Sequence, residues 1–478
     1  MPDEDRLVPI NEVDADDEAE LIRILFMIMF FSYPLWPIHS WRTKESLKMS
    51  RWLPEKSSKP SVPRFYRPNG TENLRCDWVF DNDLDYVNQL SKHRMEFKDP
   101  ENLDMDCASI RARHYFPDKA ASKEEADFGV ARARIVYKDY TLLEMELAAN
   151  YAPQNHYCYA IDQKADPVFH QRIQSLASCF PNVEVTKHEF KVDSAGHGMG
   201  PSFVQCLKLL ATPEKEWKYV HLLQNHDTSL RTNLEMVRIL KWLNGSNDVE
   251  ITSIPGGRVD TSLDWSFNAL NLFQNKTRND MKFNGYEPTL VFSKGYVEST
   301  LSRKMIDFML NDLNLTELMR RIELKGFGID EIMIPTLHAS DAIAAPGGFT
   351  HYCYKSNTNV KHITRKSLWS QEGCNSKKMR HAICIYGVED LVEHISKYPQ
   401  MFVNKIMPEF DMAAVVCWYE RLFNRTYIDP PTTERLDPNF YLNLAHVRYQ
   451  YLKDANGIVN PVKLEKFDCK GKQEYDRL

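Results

Sequence analysis

Residues 217–245 read WKYVHLLQNHDTSLRTNLEMVRILKWLNG. Within them, KYVHLLQ (218–224) reads as a strand and TNLEMVRILKWLN (232–244) as a helix. Thr232 can cap that helix, Glu235 sits three residues on, and Gly245 follows its end. Working outward, ARARIVY (131–137), HYCYAID (156–162) and NVEVTKH (182–188) are further strand candidates. Helical stretches separate them: DYTLLEMELAANY (139–151), PVFHQRIQSLASCF (167–180) and SFVQCLKLLA (202–211). In the first of these, Leu143 and Leu147 lie four apart and Leu142 and Met145 three apart, which is helical spacing. Short alternating β and α elements predict an α/β fold with a doubly wound, mainly parallel sheet. Ligands of such sheets sit at the carboxyl ends of the strands. Asp162 and the Asn225-His226-Asp227 turn therefore stand where a site is expected.

Composition agrees with a globular chain. Of 478 residues, 43% are hydrophobic and 26% charged, which excludes a disordered or collagen-like protein. A net charge of -6 argues against nucleic-acid binding through bulk basic charge. The ten cysteines are even in number and well spread, with no C-x-x-C and no zinc-ligand spacing, so the count alone decides no compartment.

The N-terminal part divides by composition. Residues 1–20 are acidic and read as a solvated tail. LIRILFMIMFFSYPLWPI (21–38) carries no charge from Ile24 to Ile38 and reads as a signal anchor, with a core helix or cleaved signal as the alternatives. Arg42, Lys44, Lys48 and Arg51 follow it and would by themselves put the main domain in the cytosol. Five N-x-S/T triplets, at Asn69, Asn244, Asn275, Asn314 and Asn424, point instead to a lumenal domain. Residues 39–75, with Pro54, Pro60, Pro63 and Pro68, read as a stem.

Seven segments resemble, in order, the core-2/I-branching N-acetylglucosaminyltransferase family, whose xylosyltransferase relatives share the domain. They include SKEEADFGVARARIVYKD (122–139), YAPQNHYCYAIDQKAD (151–166), the 217–245 stretch, LVFSKGYV (290–297), FGIDEIMIPTLH (327–338) and ICIYGVEDLVEHISKYPQMFVNK (383–405). The resemblance implies a GT-A-like glycosyltransferase fold over residues 76–425, with 426–478 as a C-terminal extension. It also implies a single-pass type II Golgi protein with a lumenal catalytic domain. The activity it implies is inverting transfer of N-acetylglucosamine from UDP-GlcNAc in β1,6 linkage to a glycoprotein glycan, without a metal ion. A xylosyltransferase-like activity and a degenerate glycan-binding protein are the alternatives.

Inverting transfer needs one carboxylate to take the acceptor proton. By resemblance this base is Glu331, beside Asp330 ahead of the apolar run IMIPTL, where the acids could also simply favour a helix start. The leaving diphosphate would be neutralised by fixed cations, which the resemblance places at Lys405 and Arg380. Arg380 fits only with one inserted residue; His381 holds the family slot, and Lys377 and Lys378 are fallbacks. Asp162 and Asp227 correspond to donor-side acids, although Asp227 could instead cap the following helix. Glu250, Arg258 and Trp369, with Trp265, fall where acceptor contacts are expected. Asp81-Asn-Asp83 and Asp104-Met-Asp106 match Asp-x-Asp but read as solvated loop charges ahead of the sheet. GHGMG (196–200) lacks a following Lys-Ser/Thr, so it is no P-loop and reads as a flexible loop. The resemblance also implies four disulfides: Cys76–Cys417, Cys107–Cys179, Cys158–Cys206 and Cys374–Cys384. Cys353 and Cys469 are left over, paired or free.

Overall fold

The computed structural model describes residues 63–469, apart from 283–284, 356–359, 431–435, 455–456 and 458. The acidic tail, the expected anchor and most of the expected stem lie outside the described residues. Among the described residues, no helix is long and apolar enough to cross a membrane.

The central sheet contains β1 (Val130–Val136), β2 (His156–Ile161), β3 (Val183–Val185), β4 (Tyr219–Leu223) and β6 (Thr300–Ser302). Their order is β3-β2-β1-β4-β6. β1 pairs in parallel with β2 (Ala133 opposite Cys158) and with β4 (Val130 opposite Tyr219), while β6 closes the edge antiparallel to β4. The helices between strands are α1 (Tyr140–Asn150), α2 (Pro167–Ser178), α3 (Met199–Leu210) and α4 (Asn233–Leu243).

Side-chain alternation shows that the sheet is covered on both faces. Ala131, Ala133 and Ile135 of β1 join Cys158 and Ala160 of β2 in one core with Phe203, Leu207 and Leu210 of α3. Val136, Tyr157, Tyr159 and Ile161 enter a different core with α1 and α2. All residues of α1 are buried, because it has a second neighbour. Leu143 and Leu147 face the sheet, whereas Leu142 and Met145 face α6 (Met412–Phe423). The two apolar spacings in that helix are thus two faces, each with its own core.

The same alternation buries two arginines of β1. Arg134 donates to Glu146 Oε1 at 3.1 Å, and Arg132 lies 3.7 Å from the same atom. Ser229 Oγ and Tyr419 Oη also donate to Glu146, at 2.7 and 2.6 Å. A carboxylate surrounded by donors makes burial of the two guanidinium groups tolerable.

A second, small sheet joins β5 (Thr228–Ser229), β7 (Arg365–Ser367) and β10 (Phe402–Asn404) in the order β5-β10-β7. β5 follows β4 after one tight turn, so Asp227 stands where the two sheets meet. A hairpin of β8 (Met379–Arg380) and β9 (Ile383–Cys384) turns at His381 and Ala382, both at positive φ.

Five disulfides are formed. Four have the pairings that the resemblance implies, and the fifth joins the left-over Cys353 and Cys469. Packing extends to both sides of the expected catalytic segment. Arg67, expected in the stem, makes a bidentate pair with Glu420. In the C-terminal part, Phe440, Tyr441, Leu444 and Val447 complete a core with α4. Of the five sequon asparagines, Asn69, Asn244, Asn275 and Asn424 are exposed and Asn314 is half-buried.

Candidate active site

A cleft of about 1010 Å³ opens at the carboxyl ends of β1, β2 and β4. Asp162, directly after β2, lies on its wall and accepts from the backbone N–H groups of Lys164 (3.0 Å) and Val192 (3.2 Å). Asp227 is buried just behind the wall. It does not cap α4: Thr232 does so, in a full capping box with Glu235. Asp227 instead accepts from the backbone of Gln224 and, at 2.9 Å, from Asn404 Nδ2 of β10, which locks the two sheets together.

Lys405 and Arg380 both line the cleft. Burial and repulsion from Arg380 and Arg365 push the Lys405 ammonium down to about 8. Arg380 is set by its hairpin, and its nearest counter-ion is Glu409 at 3.8 Å. Lys377 and Lys378 are exposed and absent from the wall, whereas Arg380 and His381 line it.

Sequence patterns gave no hint of the ion cluster beneath this cation pair. Arg365 contacts Glu298 and lies 3.5 Å from Asp227, all three buried, and its guanidinium stands 4.5 Å over the ring of Tyr296. Burial raises the Glu298 carboxyl, and Arg365 opposes the shift. These partners come from segments some 70 residues apart: Arg365 lies in a three-residue strand, and Asp227 and Glu298 lie in the connections just ahead of short strands. Only the nearness of Glu298 to the quoted LVFSKGYV segment could have flagged it.

Glu331 also lines the cleft, two residues before α5 (Met333–Ala339) rather than at its first turn. Its Oε2 pairs with Arg258 Nη1 and Lys294 Nζ, each at 3.3 Å. Among the described residues Oε1 has no partner, so one oxygen stays free to accept a proton. Neighbouring Asp330 is pushed up to about 6, by burial first and by Glu331 second.

The GHGMG stretch is not a loose loop. His197 bonds to Asp193 Oδ2 (2.8 Å) and to the Lys325 carbonyl (2.9 Å), and Ile329 N–H donates to Ala195 at 3.1 Å. Gly196, at φ +97°, lies so close that a Cβ there would stand 2.1 Å from Asp330 Oδ1. Its glycines let the backbone brace the segment that carries Glu331.

Of the expected acceptor residues, Arg258 and Trp369 line the cleft and Glu250 does not. Glu250 accepts from the backbone N–H of Tyr296 at 3.0 Å and so holds the wall from behind. Trp369 stacks on Tyr296 with ring planes 5° apart and donates to its hydroxyl at 2.7 Å. Trp265 is a core residue, packed on Phe292 with its indole N–H on the Asp260 carbonyl. Both Asp-x-Asp pairs are solvent-exposed and neither lines the cleft; Asp83 and Asp106 in addition cap helices Leu84–Lys92 and Cys107–Arg113.

A family model described as "Branch: Core-2/I-Branching enzyme" matches residues 130–394, more than half of the chain. The chain belongs to the core-2/I-branching enzyme family. Its curated relatives include a Bos taurus beta-1,3-galactosyl-O-glycosyl-glycoprotein beta-1,6-N-acetylglucosaminyltransferase. That protein is 27% identical over 379 residues, covering 75% of this chain and 86% of its own. A Homo sapiens beta-1,3-galactosyl-O-glycosyl-glycoprotein beta-1,6-N-acetylglucosaminyltransferase 3 is 26% identical, covering 75% of this chain and 84% of its own. The mannosyltransferase Ktr4p from S. cerevisiae overlaps 60% of this chain and 79% of its own at 12% identity, with a TM-score of 0.24, too low a likeness to bear on the fold. As a core-2/I-branching family member the chain is a glycosyltransferase, which implies a nucleotide-sugar donor and a glycan acceptor.

Proposed function

We propose that this chain transfers N-acetylglucosamine from UDP-GlcNAc, with inversion and in β1,6 linkage, to a glycoprotein glycan. The observation that carries the proposal is one cleft lined by a half-free carboxylate, Glu331, and by the cations Arg380 and Lys405. The acceptor oxygen attacks C1 of the donor sugar while Glu331 Oε1 takes its proton. The C1–O bond to the β-phosphate breaks, and the diphosphate leaves with its electron pair. Arg380 and Lys405 meet the charge that develops there, as preorganised cations do without a metal ion. The cleft at the strand ends and the names of the relatives favour the GT-A-like assignment. The disulfides and exposed sequons favour a lumenal catalytic domain behind a type II Golgi anchor.

The test is UDP-GlcNAc turnover on a β-galactosyl-N-acetylgalactosamine acceptor, with and without EDTA. The expected outcome is activity that survives EDTA, and a Glu331→Gln variant that folds but is slower by about 10²–10⁴-fold. EDTA-sensitive turnover, or a Glu331→Gln variant at the wild-type rate, would refute the mechanism.

A further inference from the structure

The strand-end turn Asn225-His226-Asp227 places an imidazole on the cleft wall. His226 Nε2 bonds to Asp139 Oδ2 at 2.6 Å, and the ring meets Tyr137 edge-on with centroids 5.9 Å apart. Asp139 adopts positive φ at the head of α1, which points its carboxylate back at the ring. Asn225 Nδ2 lies 3.4 Å from the same Nε2, so all ring contacts fall on one nitrogen. Nδ1 has no hydrogen-bond partner among the described residues, although the side chain is only 6% exposed. A buried ring with one nitrogen anchored on a carboxylate and the other open to a cleft is built to present Nδ1 to a ligand.

The charges around His226 indicate the kind of ligand. Lys405 is close enough to repel the ring, as is Lys138, which pairs with Asp139 (3.6 Å) and Glu409. Tyr137 lies between the ring and Arg380. Burial and the two lysines hold the free imidazole below its ordinary range, against the pull of Asp139. Lys405 acts on the ring and Arg380 reaches the neighbouring Tyr137, so an anion entering at Nδ1 would reverse the balance.

We propose that His226 is a third cation for the donor's diphosphate: its ring takes up one solvent proton when a nucleoside diphosphate sugar binds and donates Nδ1–H to a phosphate oxygen. Asp139 fixes the ring and offsets its positive charge. This rests on the nucleotide-sugar reading of the cleft, and the experiment separates the two.

The experiment is calorimetric titration of the full chain with UDP-GlcNAc between about pH 5.5 and 8, in buffers of different ionisation enthalpy. UDP-GlcNAc is chosen because its diphosphate diester does not titrate in that range. Wild type should take up a proton on binding and bind about tenfold more tightly at the acid end. His226→Gln, which can hold Asp139 but lacks a donor at Nδ1, should lose both the uptake and the acid-side gain. His226→Asn, with its amide near the Nδ1 position, should bind without pH dependence below neutrality. Asp139→Asn should reduce the uptake with the imidazole still in place, which guards against a folding defect in the His226 variants. The Lys405 step near 8 should persist in all of them. Unchanged proton uptake in His226→Gln overturns the inference and leaves the donor reading intact. Failure of wild type to bind any UDP-sugar at any pH overturns both.

Discussion

The two walls of the cleft are built differently. The wall we propose for the donor is made of strand ends and buried ions: Asp227, Arg365 and Glu298 are all nearly sealed from solvent, and Lys405 is mostly so. The wall we propose for the acceptor is made of loops and partly exposed rings. Phe327 is 61% exposed with the Arg258 guanidinium 4.5 Å over it, and Trp369 is 36% exposed. Burial fixes the first wall, because each charge there must keep its partner or cost several kcal/mol. The exposed rings Phe327 and Trp369 carry no charge that must keep a partner, so they can be exchanged at less cost to the fold. A transferase that keeps its donor and varies its acceptor would vary the second wall.

Arg365→Met would break this contrast most severely, since it strands Asp227 and Glu298 as buried acids. Denaturant unfolding should show a loss of about 3–5 kcal/mol. Adding Glu298→Met should recover part of that loss. A single Arg365→Met variant as stable as wild type would mean the donor-side wall is not held by its ions.

Lys405→Ala tests function on the same wall. Donor affinity should fall by about 10–100-fold with little loss of stability, because a partly buried cation is removed rather than its counter-ion. In the wild type the ammonium titrates at about 8, so it is charged below that value and binds an anion. Affinity should therefore decline as pH rises through 8, with the midpoint displaced upward by the bound diphosphate. Lys405→Ala should lack this decline.

Trp369→Ala tests the acceptor-side wall and should have the smallest effect. Acceptor KM should rise by about tenfold or less, the scale of a lost aromatic platform. Donor affinity and unfolding midpoint should stay at wild-type values. A large loss of stability would erase the distinction between the walls.

The same contrast explains what the sequence revealed. β1, β2 and β4 are local apolar runs, and each lies within about one residue of its expected span. The capping box at Thr232 and Glu235 is equally local and equally visible. Asp162 and Asp227 were legible because a parallel sheet assigns meaning to strand ends. β5, β7 and β10 are two or three residues long, and nothing in so short a run distinguishes strand from loop. Arg365 sits on one of those strands and Glu298 in the connection just ahead of β6, so their pairing was invisible. Arg132 and Arg134 mislead in the opposite way: alternation would send them to solvent, and only Glu146 from α1 shows why both face of β1 and helix are sealed.

The covalent links have a bearing on how this chain is made. Cys158 can find Cys206 after 48 further residues, and Cys107 can find Cys179 after 72. Cys76 is synthesised before all the other described cysteines, yet its partner on α6 emerges 341 residues later. For most of translation it is a thiol without its mate, among six cysteines whose own pairings are closing around it. Correct assembly thus depends on a compartment that not only oxidises thiols but also reshuffles wrong pairs until α6 arrives. A cell that oxidised this chain without an isomerase would trap Cys76 on an early cysteine and leave α6 unlatched.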